Sequence, residues 1–100
     1  MNIETNEETL RITGVTELSA ASARALKEQV AARFIKEMRH IDFDASSLQF
    51  LDSSGLGALI SMLKMTTLHG GNFRLLAPTP PVIQILELTR LHRVFEIVPQ

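Results

Sequence analysis

Cysteine is absent from this chain, and its absence excludes disulfides, iron–sulfur clusters and zinc sites built from thiolates. The three histidines, His40, His69 and His92, lie far apart, with no pair spaced four residues apart as on a metal-binding helix face. The basic residues are scattered rather than clustered beside aromatics, which argues against a nucleic-acid partner. We therefore predict a protein that uses no metal or other cofactor and binds no nucleic acid.

Long apolar segments are also missing. No run approaches the roughly 18 uninterrupted apolar residues of a transmembrane helix. Residues 1–5 are polar and acidic, without the basic and apolar regions of a signal peptide. The 100 residues, 45% hydrophobic and 21% charged, suit one globular domain over residues 1–100 with a single core. We expect a cytoplasmic protein, monomeric when free, with no membrane insertion.

The spacing of apolar residues predicts strands and helices in the order β-β-α-β-α-β-α-β. The predicted segments are a hairpin at 1–14, a helix from a Ser19 cap to about residue 38, a strand at 41–45, a helix at 54–68, a strand at 72–77, a helix from Pro80 or Pro81, and a strand at 94–98. This order indicates an α/β fold in which helices pack on a mixed β-sheet with right-handed crossovers.

The most informative segment is the run Asp-Ser-Ser-Gly-Leu-Gly at residues 52–57, which opens the second helix. A helix start has unpaired backbone N–H groups and a partial positive charge, so it suits an anion. A serine in such a turn can cap the helix, act as a nucleophile, or become an anion itself by phosphorylation. These three roles predict different functions.

Two enzyme-like readings fit poorly. The run is not Gly-x-Ser-x-Gly, and no histidine is placed as a catalytic base, which argues against a hydrolase. A phospho-aspartate receiver needs a cluster of acids around a metal, whereas only Asp44 and Asp52 fall at strand ends. We assign Asp44 to loop stabilisation. For Asp52, loop geometry and partner contact both stay open.

With the elements in this order, the run at 52–57 and its surroundings resemble the signature of STAS-domain anti-sigma-factor antagonists. The matching positions are Arg39-His40-Ile41, Asp44, Leu48, residues 50–57, Thr13-Gly14, Glu17-Leu18, Leu26, Gly70-Gly71, Leu88, Leu91 and Phe95. The resemblance covers nearly the whole chain. It implies a STAS-like α/β fold and a regulatory protein-binding module rather than an enzyme.

The resemblance also implies partner switching. In this family the serine directly after the motif aspartate is phosphorylated by an anti-sigma factor that is itself a serine kinase. The unmodified antagonist binds that kinase and frees a sigma factor, and a PP2C-like serine phosphatase removes the phosphate. Carried over to this chain, the phosphorylated residue is Ser53, with Asp52 and Ser54 beside it in the partner surface. The chain departs from the family at Ser19, where aspartate is usual, and at Arg90, where glycine is frequent.

The second helix carries a further prediction. Projected at about 100° per residue, Leu56, Leu59, Ile60 and Leu63 share the face expected to pack in the core. The opposite face carries Ala58, Met62 and Met65, and methionine on an outward face is adaptable apolar surface suited to binding. Burial of both methionines under a neighbouring helix is the alternative.

The glycines of the run, Gly55 and Gly57, are expected to permit close approach of a partner or of the preceding loop, because glycine is otherwise unfavourable in a helix. The predicted partner-binding residues are therefore Asp52, Ser54, Gly55, Leu56, Ala58, Met62, Met65 and Ser19.

Two rival functions stay open. The first is a STAS subunit of a lipid-transport ABC system, which would bind its partner constitutively. The second is a small-ligand or nucleotide-binding module. The intact context of Ser53 argues against the first, and the lack of a phosphate-cradling glycine-rich loop with lysine argues against the second.

Overall fold

A computed structural model describes all residues from 1 to 100 and contains three helices and seven strands. The elements in chain order are β1 (Asn2–Asn6), β2 (Thr9–Thr13), β3 (Glu17–Leu18), α1 (Ala20–Arg33), β4 (His40–Asp44), β5 (Phe50–Leu51), α2 (Ser53–Leu68), β6 (Phe73–Leu76), α3 (Pro80–Leu88), a 3₁₀ turn (Leu91–Arg93) and β7 (Glu96–Val98). The predicted α/β class and element order are confirmed. The two short strands β3 and β5 are additional and were not predicted.

The main sheet has the strand order β1-β2-β4-β6-β7. Strands β1 and β2 are antiparallel because a tight turn joins them, and Glu7 in that turn has a positive φ of 54°. The remaining neighbours are parallel, as expected where helical crossovers link the strands. Strands β3 and β5 form a separate parallel pair. Since crossovers leave from the carboxyl ends of parallel strands, α1, α2 and α3 all begin near that edge of the main sheet.

One face of the main sheet packs against the helices. Leu10, Ile41, Phe43 and Leu75 on this face are fully buried, and they belong to a cluster of 21 buried residues that also includes side chains from all three helices. A single apolar core therefore joins the helices to the sheet, as the sequence predicts.

The other face of the sheet carries polar side chains. A row of paired residues crosses all five strands with alternating charge: Glu4, Arg11, Asp42, Arg74 and Glu96. At its centre the Arg74 guanidinium donates two hydrogen bonds to the Asp42 carboxylate, at 2.9 and 2.8 Å. This pair raises the pKa of Arg74 above its ordinary value. No helix covers this face, and three acidic side chains alternate with two basic ones across it.

The first helix is shorter than predicted. It ends at Arg33, and Phe34 leaves helical geometry with φ −86° and ψ 73°. Phe34 and Met38 are both buried. Because Val30, Phe34 and Met38 follow one another at intervals of four residues, their spacing resembles that of a continuing helix. In the structure the chain turns after Phe34, whose ring packs edge-on against His69 with centroids 4.7 Å apart. The predicted end of α1 near residue 38 is wrong because Phe34 and Met38 pack in the core without being helical.

Candidate functional site

The turn between β5 and α2 is fixed by Asp52, which is the N-cap of α2. Its Oδ1 accepts a hydrogen bond from the Gly55 N–H at 3.1 Å, which satisfies one of the unpaired donors of the first helical turn. Its own N–H donates to the Leu18 carbonyl at 3.2 Å. Asp52 therefore joins α2 to β3, and of its two predicted roles loop geometry has direct support.

Ser53 and Ser54 are the first two residues of α2, and both are exposed. Neither hydroxyl makes a hydrogen bond within the protein, because the capping acceptor is the Asp52 carboxylate. The backbone N–H groups of these two residues also have no partner within the helix, as is general for a first turn. The turn thus presents two free hydroxyls and two free N–H groups to solvent, an arrangement that can accept a phosphoryl group on a side chain and tolerate its charge.

The two glycines of this turn have different surroundings. Gly55 is buried, and a Cβ added to it would lie 2.7 Å from the Leu18 Cβ and closer still to the Leu18 carbonyl oxygen. Gly57 is exposed, and an added Cβ would meet no atom within 4 Å. Gly55 therefore serves the packing of α2 on β3, which supports its predicted role in close approach within the protein, while its contact with a partner stays a prediction. Gly57 has no such internal role.

The predicted exposure of Ala58 and Met62 is wrong, since the two residues are 0% and 1% exposed, and the alternative prediction, burial, is confirmed for Met62. Met65 is half-buried and packs against the core, as does Leu56. The two predicted faces of α2 are in fact the two flanks of one broad buried arc, with Leu59 near its centre. The exposed side of the helix is instead its polar stripe: Ser53, Ser54, Gly57, Ser61 and Lys64, of which only Ser61 is half-buried.

Ser19 caps α1 as the sequence predicts. Its N–H donates to the Ser22 hydroxyl at 2.8 Å, and the residue is half-buried. Because Leu18 accepts from Asp52 and directly precedes Ser19, the structure brings the starts of α1 and α2 together. Ser19 thus lies beside the turn that carries Ser53 and Ser54.

Sequence reasoning missed one exposed aromatic next to this turn. Phe50 is 53% exposed, whereas Leu48 and Leu51 on either side of the same segment are buried. Adjacent residues of a strand point to opposite faces. With Leu51 in the core, that alternation places Phe50 outside, and it was the signal available in the sequence.

Asp44 is the second acid at a strand end. Its Oδ1 accepts a hydrogen bond from the Ser46 N–H at 2.9 Å, which confirms its predicted role in the loop after β4. Hydrogen bonds from the Ser46 side chain and backbone hold the pKa of Asp44 below its ordinary value of 3.8. Asp44 therefore stays ionised at neutral pH and stabilises a loop.

None of the helices combines the length and apolar character needed to cross a bilayer. No group of three or more His, Asp or Glu side chains is arranged to hold a metal ion. The candidate site is the exposed turn at the start of α2, which presents the unpaired hydroxyls of Ser53 and Ser54.

Comparison with known proteins identifies the relatives of this chain. The STAS domain model matches residues 1–100. A protein of Thermotoga maritima, named as an anti-sigma factor antagonist, is 33% identical over 82 residues, which are 81% of this chain and 73% of that protein. The anti-sigma F factor antagonist of Paenibacillus polymyxa is 32% identical over 62 residues, 62% of this chain. That match spans about half, 53%, of the Paenibacillus protein.

Solved structures show that the fold is shared. The crystal structure of the Thermotoga maritima antagonist superimposes with a TM-score of 0.83 at 24% identity, over 99% of this chain and 86% of that one. The Bacillus cell-fate determinant SpoIIAA in its phosphorylated form gives 0.73 at 21% identity, over 99% and 91% of the two chains. The family match over the whole sequence and the shared fold together show that this chain belongs to the STAS-domain family, among relatives named as anti-sigma factor antagonists.

Proposed function

We propose that this protein is an anti-sigma factor antagonist that acts in the cytoplasm by partner switching. Unphosphorylated, it binds a serine-kinase anti-sigma factor, and phosphorylation of Ser53 by that kinase releases it. A PP2C-like serine phosphatase restores the binding form. In this proposal the protein is a regulatory binding module and carries out no catalysis of its own.

The observation that carries the proposal is the division of roles between Asp52 and Ser53. A serine at a helix start is most often a cap. In this chain the Asp52 carboxylate accepts the capping hydrogen bond, and the Ser53 hydroxyl is exposed and unpaired. A hydroxyl that stabilises nothing within the fold is available to a kinase. The names of the curated relatives support the same function.

Phosphorylation at Ser53 is expected to change binding and leave folding intact. A phosphate beside unpaired N–H groups interacts favourably with the helix dipole, by roughly 0.3–1 kcal/mol at an exposed site. Buried in a protein interface, the same group must lose its hydration, which costs several kcal/mol. A loss of about 4 kcal/mol in binding corresponds to roughly a thousandfold weaker affinity.

Phosphate mapping tests the modified residue. The purified protein is incubated with ATP and the serine-kinase anti-sigma factor of the same organism, and phosphopeptides are sequenced by mass spectrometry. We expect one phosphate, on Ser53. Ser54→Ala is the matched control and should be phosphorylated normally, whereas Ser53→Ala should not be phosphorylated. Phosphate on Ser54, Ser46 or Ser47 would contradict the assignment.

Calorimetry tests the switch itself. Ser53→Ala should bind the kinase persistently in the presence of ATP, because it cannot be modified. Ser53→Asp should bind more weakly than the unmodified protein, although one carboxylate imitates a phosphate incompletely. Equal affinities for the unmodified protein and Ser53→Asp would show that charge at this position does not control binding.

A further inference from the structure

A groove of about 770 Å³ runs between α1 and α2 and includes Ser54 in its lining. Small residues from both helices line it: Ala20 and Ala23 of α1 and Gly57 of α2. Because Gly57 is exposed and has no side chain, the backbone of α2 is accessible from solvent at this point. The groove thus continues from the Ser53 turn along the exposed side of α2.

No contact within the chain requires glycine at position 57. A Cβ would meet nothing within 4 Å, whereas glycine in a helix is unfavourable compared with alanine. Gly55, three residues before Ala58 on the buried side, has a close neighbour in Leu18 that explains it. Gly57 therefore leaves open space beside the α2 backbone, in which a partner segment can pack.

The charged side chains of the groove are Arg24, Lys27 and Glu28, two cations against one anion. Neither cation forms a salt bridge, since the two ion pairs of the protein are Arg39 with Glu8 and Arg74 with Asp42. The groove therefore has a net positive charge that the protein does not compensate. An acidic segment complements it, and complementary charge favours fast and specific association.

We propose that this groove binds an acidic segment of the kinase partner, which packs against Gly57 and pairs with Arg24 and Lys27. The inference rests on the proposed function, because it specifies where and how that partner binds. It also gives phosphorylation a second consequence. Phosphate on Ser53 lies one residue from Ser54 of the groove lining, so its charge repels an acidic segment and competes with it for the two cations.

Charge reversal and groove filling test the proposal, with affinity for the kinase measured by calorimetry. The double variant Arg24→Glu/Lys27→Glu should bind at least about tenfold more weakly, and the difference should shrink at high salt because exposed charges are screened. Gly57→Leu should weaken binding by a similar factor at every salt concentration, because its side chain occupies the groove. Lys36→Glu reverses an exposed charge after the end of α1, outside the groove, and should change affinity less than twofold. Circular dichroism checks that each variant is folded.

The outcomes separate this inference from the proposed function. If the unmodified protein binds the kinase and the groove variants bind equally well, the groove proposal is overturned and the function stands. If the unmodified protein neither binds the kinase nor is phosphorylated by it, the proposed function fails. The groove is then judged by nuclear magnetic resonance titration with a peptide of alternating glutamate and alanine.

In that titration we expect saturable shifts of the Gly57 amide that are lost in Arg24→Glu/Lys27→Glu and are absent with a lysine–alanine peptide. No shift at Gly57, or equal shifts with both peptides, would overturn the groove proposal on its own.

Discussion

On the buried side of α2, packing within the protein explains which residues are present, whereas on the exposed side it does not. On the buried side, Gly55 fits against Leu18 of β3, and Met62 is enclosed in the core. On the exposed side, Ser53 makes no side-chain hydrogen bond and Gly57 has empty space where a side chain would be. The first set is explained by folding and the second is not. The difference shows that the residues of a family motif that serve folding must be separated from the others before a function is assigned to the motif.

The largest expected effect tests the buried side. Met62→Lys places a charged group among apolar side chains with no counter-charge, so we expect the free energy of unfolding to fall by about 3 kcal/mol or more. Denaturant titration followed by circular dichroism measures it. Leu59→Lys should behave alike, because Leu59 is 0% exposed.

Met65→Lys is the matched comparison for Met62→Lys. Met65 is half-buried, and a lysine there can extend its ammonium group into water while its methylenes stay packed. We expect a much smaller loss of stability. A loss as large as that of Met62→Lys would show that a lysine ammonium group at position 65 does not reach water.

The next effect separates the two glycines. Gly55→Ala introduces a methyl group against the Leu18 backbone and should lower the free energy of unfolding by about 1–3 kcal/mol. Gly57→Ala fills open space and replaces glycine by a better helix former, so it should raise stability by about 0.5–1 kcal/mol. Paired thermal melts measure both. If both variants changed the stability in the same direction, the distinction between the buried and exposed sides of α2 would be contradicted.

The sequence was sufficient for the fold class because the strands and helices have clear hydrophobic periods. The alternation around Ile41 and Phe43 and the three- and four-residue spacing of Ala23, Leu26 and Val30 predicted β4 and α1. Strands β3 and β5 were missed because each has only two residues, which is too short for a period to be visible. Such strands form only because the tertiary fold brings them together.

The orientation of α2 could not be derived from its apolar residues. The helix packs on α1 as well as on both sheets, so apolar residues occupy most of its circumference. A helical projection therefore shows two apolar faces and does not indicate which of them packs in the core. The polar residues Ser54, Ser61 and Lys64 were the better guide, since they mark the one exposed stripe. The structure places Ser53 in the first turn of α2, where the sequence predicts it, and its phosphorylation stays a prediction. The capping role of Asp52, which leaves the Ser53 hydroxyl free, became visible only from the hydrogen-bond geometry.

A smaller effect separates Asp52 from Ser53. Asp52→Ala removes the carboxylate that caps α2 and should cost about 1 kcal/mol of stability. Ser53→Ala removes a hydroxyl without a partner and should change stability by less than about 0.5 kcal/mol. Denaturant titration of both variants measures the difference. An equal loss in both would mean that Ser53 contributes to the cap, and its availability to a kinase would need another explanation.

The smallest effect concerns Asp44, which accepts a backbone hydrogen bond as Asp52 does, but in a loop away from the helix start. Its pKa is below 3.8 in the folded protein, so its ionised form stabilises the fold at pH values above the unfolded pKa. That contribution is lost as the pH falls through the folded pKa. Asp44→Asn should therefore be slightly less stable at pH 7, and the difference should shrink as the pH falls below the ordinary pKa of an aspartate and be lost once Asp44 is protonated in the folded protein. Urea titrations at several pH values measure it. Kinase binding should not change in Asp44→Asn, since the proposed interface consists of the Ser53 turn and the groove between α1 and α2; weaker binding would extend that interface to the loop after β4.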